Sequence, residues 1–383
     1  MCIRDRNVAD DGIDIRGSTG LVLNNVTITN TGLSPTSPCG GCNSSGVQGF
    51  NLIGTVTVNN SSFTNGRIRN FYVSNTAGAL TFTLNTSTFD DTRTGGVGTD
   101  NLQVYLGGTA SANIDINGGT FTRSRTNQIE VTTRDTANVN QLDITGITMN
   151  HLGADSSGIS INGLGNSNIA FNVANNPTLY SQDENVIAIS AGEDADVQGR
   201  VIGNPDMRFV TDSLGGSVFN IMRLLSDGLT STVTVLIENN IMSLNNGTDG
   251  INGNVQGTGS ARINATINNN NIFASGTGGI PLDAINAIVN SQDGTNKTFC
   301  LTINGNNVTG IWARAGRARS LDGTGSVSSM QITGFNTDFA TTWLARGNVG
   351  SPVIQFAQVG AYLGAVIGEP PAVNCPSPTN PGP

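Results

Sequence analysis

The chain has 383 residues, of which 50 are glycine and only 12% are charged, and its formal net charge is −9. This acidic balance argues against nucleic acid as the main partner, and no apolar run is long enough to span a membrane. The low charge also excludes disorder of the highly charged kind. Asn, Thr, Ser and Gly, which are typical of strands and turns, supply most of the polar surface.

The opening residues, MCIRDR, contain no apolar signal-peptide core and fit no strand pattern. They resemble a translated adapter sequence. We therefore expect residues 1–6 to be an artefactual leader that stands in place of the true N-terminus and any signal peptide.

A repeat begins after this leader. LVLNNVTI (21–28), VTVNNSSF (56–63), FTLNTSTF (82–89) and IDINGGTF (114–121) share an apolar–x–apolar start, a small polar pair and a final apolar residue. Period-two alternation of this kind predicts strands with one buried face. The predicted buried column, one residue per repeat, is Ile28, Phe63, Phe89, Phe121, Met149, Leu179, Met207, Ile241, Phe273 and Val308.

These final residues lie about 31 positions apart, and a second strand such as NLQVYLGG separates successive copies. Short strands that recur at this period predict an all-β parallel solenoid of about ten coils, stacked at about 4.8 Å. One turn of each coil would carry an Asn, which tolerates the left-handed conformation and can form side-chain ladders. The Asn residues assigned to that turn are Asn24, Asn59, Asn85, Asn117, Asn175, Asn239, Asn269 and Asn304.

The repeats resemble the right-handed parallel β-helix of the pectin-lyase-like superfamily over residues 7–310. Residues 298–378, with TFCLTINGN and a closing NCPSP, resemble the C-terminal end of a group of bacterial β-helix surface proteins. The resemblance implies a bacterial protein that is secreted or held at the cell surface. It also implies a terminal coil and cap over 311–368, and 369–383 is rich in proline, as expected of a tail.

The resembling group carries one cysteine after the last coil and a second near the terminus. A disulfide between Cys300 and Cys375 would suit a secreted protein of this kind. Cys39 and Cys42 lie in the loop segment PCGGC, which lacks the second CxxC of a zinc site. Their pairing stays open.

Two short segments, ADDGIDI and NGRIRNFY, resemble motifs of polygalacturonase-type β-helix hydrolases. The resemblance implies that Asp10 and Asp11 would be catalytic carboxylates and that Arg67 would begin the basic motif. Arg69 stands where that motif has lysine, and the sole histidine, His151, lies several coils too late for the motif between them. The alternative interpretation is a turn that precedes a strand.

Arginine recurs four residues after three successive predicted anchors, and two tyrosines follow on the next strands. The residues of this predicted binding strip are Arg67, Arg69, Arg93, Arg123, Arg125, Tyr72 and Tyr105. Guanidinium groups bind carboxylates and sulfates in a bidentate manner, so the strip favours an acidic polysaccharide or surface glycan as partner. The alternative is that Asp90, Asp91, Asp100 and Glu130 neutralise the arginines.

An acidic cluster follows in QDENVIAISAGEDAD. Its members are Asp183, Glu184, Glu193, Asp194 and Asp196. These carboxylates could share a calcium ion, which prefers six to eight oxygen ligands. The alternative is a solvated acidic edge without any cofactor.

Together these features favour a structural or binding solenoid of a secreted or cell-surface protein, adhesin-like and in contact with a glycan. The sequence contains no complete catalytic set. The alternative function is a polysaccharide lyase or glycoside hydrolase that acts on an acidic polysaccharide, and the fold class hosts both functions.

Overall fold

The computed structural model describes residues 4–6, 11–32, 45–92, 100–152, 156–182, 184–210, 220–275, 283–291, 295–322, 329–333, 343–349, 366–368 and 375–376. The chain is all-β, with 66% strand and 1% helix, and forms a parallel β-solenoid of about nine turns, close to the ten predicted. The strands are β1 Arg4–Arg6, β2 Ile13–Arg16, β3 Leu21–Asn24, β4 Thr27–Thr29, β5 Ser45–Phe50, β6 Gly54–Asn59, β7 Ser62–Thr64, β8 Arg69–Asn75, β9 Ala79–Asp90, β10 Leu102–Leu106, β11 Ser111–Thr122, β12 Ile129–Thr133, β13 Asn138–Thr145, β14 Thr148–His151, β15 Ile159–Gly163, β16 Asn168–Ala174, β17 Thr178–Ser181, β18 Asn185–Gly192, β19 Asp196–Ile202, β20 Met207–Val210, β21 Asn220–Asp227, β22 Thr232–Glu238, β23 Ile241–Asn245, β24 Asp249–Gln256, β25 Arg262–Asn268, β26 Asn271–Ser275, β27 Asp283–Ser291, β28 Thr298–Asn304, β29 Asn307–Gly310, β30 Arg314–Asp322, β31 Ser329–Ile332 and β32 Val366–Gly368.

The strands form three parallel stacks. Two of them make up sheet 1, because β9 and β11 are long enough to run through both stacks. The third stack is sheet 2, in the order β2-β5-β8-β10-β12-β15-β18-β21-β24-β27-β30. Within the opening segment MCIRDR, residues 4–6 form β1, which pairs with β4. The expectation that this segment fits no strand is therefore wrong for these three residues.

The predicted apolar column fills the interior. Phe63, Phe89 and Phe121 are buried and in register, and their successive ring centroids lie 5.2 and 4.8 Å apart. Each ring therefore stacks on the ring of the next turn, an offset geometry that adds to the gain from burial. The column continues through Met149, Leu179, Met207, Met242, Ile272 and Val308.

Two residues of the predicted column are not buried, so the prediction is wrong at these positions. Ile241 and Phe273 are 49% and 43% exposed, whereas Met242 and Ile272 occupy the buried positions. In a strand a shift of one residue moves a side chain to the opposite face. The preceding turn sets the register, since Asn239 has a φ of 55° and the third residue after it faces inward.

The turn within sheet 1 contains a left-handed residue, as the Asn pattern predicts. Asn175, Asn239 and Asn269 have φ values of 54°, 55° and 52°. In the first two turns the left-handed residue is instead the second Asn of each pair, Asn25 or Asn60. The left-handed conformation costs Asn less free energy than it costs most other non-glycine residues.

The first turns carry an outer Asn ladder on the residue before the left-handed position. Asn59 Nδ2 donates to Asn24 Oδ1 at 2.7 Å, and Asn85 Nδ2 donates to Asn59 Oδ1 at 2.8 Å. Asn117 Nδ2 donates to Asn85 Oδ1 at 3.3 Å. The predicted ladder is confirmed for these four residues.

Later turns carry an inner Asn ladder on the residue after the left-handed position. Its members are Asn176, Asn204, Asn240, Asn270, Asn306 and Asn348, and all are buried. The Oδ1 of Asn240 accepts from both the backbone N–H and the Nδ2 of Asn204, at 3.0 and 2.9 Å. Its own Nδ2 donates to the Val201 carbonyl at 2.8 Å. The predicted ladder is therefore wrong by one residue at Asn175, Asn239 and Asn269.

The last turn contacts residues that lie further along the chain. Asn348 continues the inner Asn ladder by accepting from the backbone N–H of Asn306 at 2.9 Å. Trp343 is buried, and β32 pairs with β31. Cys300, within β28, is joined to Cys375 by a disulfide. The cap predicted over 311–368 stays a prediction, because much of that range lies outside the described residues.

Candidate functional site

Strand alternation gives sheet 2 an outer face with rows of polar and aromatic side chains. In β10, Leu102, Val104 and Leu106 are buried inside the solenoid, so Gln103 and Tyr105 point outward. Parallel register then aligns equivalent residues of successive turns about 4.8 Å apart. Tyr72, Gln103 and Glu130 form one row, and Tyr105 and Thr132 lie in the adjacent row.

Two of the predicted binding residues, Arg69 and Tyr72, meet on this face. Arg69 lies over the ring of Tyr72, with Cζ 4.3 Å from the ring centroid, and Phe50 packs edge-on against the same ring at 5.9 Å. A guanidinium held over an aromatic face gains cation–π attraction. The Nε and Nη1 atoms of Arg69 make no hydrogen bond within the described part of the chain.

Asp100 lies near this arginine, and Glu130 lies near Asp100. Asp100 Oδ1 accepts from Thr126 Oγ1 at 2.6 Å and from the backbone N–H of Asn127 at 2.9 Å. Asn127 Nδ2 donates to Asp100 and to Glu130 Oε2, at 3.2 and 3.1 Å, and so links the two acids. Burial and, less strongly, the charge of Glu130 together raise the pKa of Asp100 to about 7, although the hydrogen bonds from Thr126 and Asn127 and the charge of Arg69 oppose the rise.

We expect the substitution Asp100→Asn to stabilise the protein at pH 8 but not at pH 4. The folded state binds the Asp100 proton more tightly than the unfolded state, so wild-type stability falls as pH rises from about 4 to 7. One pKa unit corresponds to about 1.4 kcal/mol, so we expect the variant to gain about 2 kcal/mol or more at pH 8. Urea unfolding at pH 4 to 8 measures this difference. Asn can still accept the hydrogen bonds from Thr126 and Asn127.

The matched control is Glu130→Gln, which removes the neighbouring charge. It should lower the pKa of Asp100 and therefore reduce the loss of stability between pH 4 and 8, because that loss scales with the difference between the folded and unfolded pKa. A difference between wild type and Asp100→Asn that stays constant from pH 4 to 8 would contradict the assignment.

His151 is part of the solenoid interior and contributes nothing to this face. Its Nδ1 lies 3.3 Å from both Ser124 Oγ and Gln128 Nε2, and its Nε2 lies 3.0 Å from the Ser156 carbonyl. Burial lowers the pKa of His151 to about 4. The neutral ring therefore completes a buried polar chain that begins at Asn70 and runs through Asn101.

The structure separates the other members of the predicted arginine strip. Arg123 donates from Nε to Asp90 Oδ1 at 2.8 Å. Burial alone would raise the pKa of Asp90, but the hydrogen bonds from Arg123 and Thr122 outweigh it and hold the pKa below its usual value. Arg67 and Arg125 lie at equivalent positions two turns apart, before β8 and before β12. Arg93 lies outside the described residues.

The predicted acidic pair has only one described member. Asp11 Oδ1 accepts from the backbone N–H of Ser45 at 2.6 Å, which ties the start of one turn to the next. This contact agrees with the interpretation of a turn before a strand. Asp10 lies outside the described residues.

The predicted calcium ligands lie at different places along one turn. Glu184 precedes β18 and Glu193 follows it, so the length of an eight-residue strand separates them. Asp194 accepts from Thr230 Oγ1 at 2.9 Å, and burial raises the pKa of Asp196. Asp183 lies outside the described residues. Among the residues described, no group of three or more His, Cys, Asp or Glu side chains is placed to hold a metal ion.

In the described part of the chain, no helix is long and apolar enough to cross a membrane. The described residues form a parallel β-solenoid with a polar and aromatic outer face on sheet 2. No protein-family model, curated protein or solved structure matches this chain.

Proposed function

We propose that the chain is a binding solenoid of a bacterial cell-surface or secreted protein, and that the outer face of sheet 2 contacts a glycan in the manner of an adhesin. The observation that carries the proposal is the group of Arg69, Tyr72 and Tyr105 on that face. Aromatic rings offer apolar surface to a sugar, and guanidinium groups pair with its anionic substituents. Acidic polysaccharides are therefore the expected class of ligand.

The disulfide supports the location. Cys300 and Cys375 are paired across 75 residues. Disulfides persist mainly in oxidising compartments such as the periplasm and the cell exterior. A secreted or surface-held protein fits this chemistry.

A glycan array probed with the full chain tests the function. We expect binding to an acidic glycan, and a loss of about tenfold or more in affinity for the double variant Tyr72→Ala/Tyr105→Ala, because buried aromatic anchors dominate binding energy. The matched control is Tyr180→Ala. Tyr180 also lies near an arginine, with Arg208 Cζ 6.0 Å from its ring centroid, but it belongs to sheet 1. Equal losses in both variants, or no glycan bound by the wild type, would contradict the proposal.

A second candidate is a glycoside hydrolase or polysaccharide lyase that uses the same face. It is favoured by Asp100 and Glu130, because a carboxyl group held protonated near neutral pH beside a second carboxylate is the arrangement of a general acid with its partner. Incubation with any bound glycan, followed by assays for reducing ends and unsaturated ends, separates the two candidates. New ends that vanish in Glu130→Gln would favour the enzyme.

A further inference from the structure

A groove of about 470 Å³ lies further along the solenoid, on the outer face of sheet 2. It is separate from the group around Tyr72. Three arginines and two carboxyl groups line it together with asparagine side chains. Among the lining residues are Arg223, Asp249, Asn252, Asn254, Asn286, Arg317 and Arg319.

Register builds this groove from strands of successive turns. Arg223, Asn252, Asn286 and Arg317 form one row across β21, β24, β27 and β30. A second row runs from Asn254 through Ile288 to Arg319. Long polar side chains therefore stand side by side along the solenoid axis.

A buried carboxyl group orients the amides of the first row. Asp249 Oδ2 accepts from Asn252 Nδ2 at 2.6 Å and from Asn286 Nδ2 at 2.9 Å. Asn286 is only 2% exposed, and its Oδ1 makes no hydrogen bond within the described residues. The Oδ1 of Asn254 is also buried without such a partner. A buried acceptor of this kind costs about 1–3 kcal/mol unless a donor satisfies it.

The arginines present unsatisfied donors to the same groove. Arg317 is 9% exposed and donates from Nη2 to Asp283 Oδ2 at 2.8 Å, but its Nε has no partner within the described part of the chain. The Nε of Arg319 is likewise unsatisfied. Burial lowers the pKa of Arg319, and the charge of Arg317 lowers it further. A crowded pair of cations of this kind favours an anion beside it.

We propose that the groove binds a sugar acid, that is, a carboxylate that also carries neighbouring hydroxyl groups. The carboxylate would accept from the guanidinium groups of Arg317 and Arg319. The hydroxyl groups would donate to the Oδ1 atoms of Asn254 and Asn286. An anion without hydroxyl groups would leave those acceptors without a donor, and a neutral sugar would leave Arg319 without a carboxylate in contact. The site is independent of the glycan contact around Tyr72.

Isothermal titration of the full chain tests this site with glucuronate as the probe. We expect saturable binding, and at least about tenfold weaker binding of both glucose and acetate. Arg319→Gln should weaken glucuronate binding about tenfold or more, because Arg319 contacts the carboxylate. Arg223→Gln should weaken it less, because Arg223 lies at the other end of the row, on β21, and acts only through its charge. Neither arginine forms an ion pair in the described part of the chain, so both variants should fold, and thermal melts check this. A uronate-containing tetrasaccharide that binds more tightly than glucuronate would identify a chain ligand, and equal affinity would identify the free acid.

The control is Arg134→Gln, which removes an exposed arginine that follows β12, outside the groove. It should leave glucuronate affinity unchanged. Absence of saturable binding, equal affinity for acetate and glucuronate, or equal effects of Arg134→Gln and Arg319→Gln would overturn the proposal. The variants at Tyr72 and Tyr105 leave this groove intact, so failure of the glycan contact and failure of this site give different results.

Discussion

Replacing Asn240 by leucine should lower the free energy of unfolding by about 4 kcal/mol, because each buried polar group left unpaired costs about 1–3 kcal/mol. Asn240 accepts from the backbone N–H and the Nδ2 of Asn204, and it donates to the Val201 carbonyl. Leucine has a similar size but satisfies none of these groups. Urea unfolding gives the total loss, and hydrogen exchange at the Asn204 amide reports the local one.

The control for this experiment is Asn59→Ala in the outer Asn ladder. Asn59 Nδ2 donates the same kind of side-chain hydrogen bond to Asn24 Oδ1, at 2.7 Å, but does so at the surface. Water can replace the lost partner there, so we expect a change below about 1 kcal/mol. Similar losses at Asn240 and Asn59 would show that burial does not decide the strength of these ladders.

The substitution Asp283→Ala should cost about 3–5 kcal/mol, the range for a buried ion pair that loses one partner. Asp283 is fully buried and accepts from both Arg314 and Arg317, the latter at 2.8 Å. Without the carboxylate, two largely buried guanidinium groups lie next to each other with no counter-charge in contact. Urea unfolding of the variant at neutral pH measures the loss.

The exposed pair between Asp14 and Arg16 provides the comparison. Its side chains are 39% and 68% exposed, and the two groups are 3.0 Å apart. Exposed pairs contribute about 0–1 kcal/mol, so Asp14→Ala should leave stability nearly unchanged. A loss below about 1 kcal/mol for Asp283→Ala would mean that water reaches the two arginines in the variant.

The sequence was sufficient to predict the solenoid because its determinants are local. Alternation along each strand and Asn or Gly at each turn recur at every repeat, and stacking follows from that recurrence. The position of the Asn ladder was harder to predict. In the pair Asn59–Asn60 the second residue takes the left-handed conformation, whereas in Asn239–Asn240 the first residue does. The same dipeptide therefore serves two registers, and the Asn that takes the left-handed conformation sets which later residue faces inward.

The sites depend on register across turns, which the sequence shows only in part. Tyr72 and Tyr105 could be predicted as neighbours because they follow successive anchors. Asp100 and Glu130 appeared in the sequence only as counter-charges. Their connection through Asn127 depends on the depth of burial and on a loop contact. The groove beside Arg319 combines residues from four turns, and no single segment of the sequence contains its pattern.

The inner Asn ladder has a consequence for how the gene can change in length. Each ladder Asn accepts, through its Oδ1, from the ladder Asn of the turn before it. Its own backbone N–H donates to the ladder Asn of the turn after it, as Asn240 does to Asn270. Duplication or deletion of one whole repeat of about 30 residues would therefore leave no donor unmet, as in other repeat arrays. An insertion of one codon between the left-handed residue and the ladder Asn would break the series. Evolution can thus adjust the reach of this rod in whole turns, while the spacing inside each turn stays fixed.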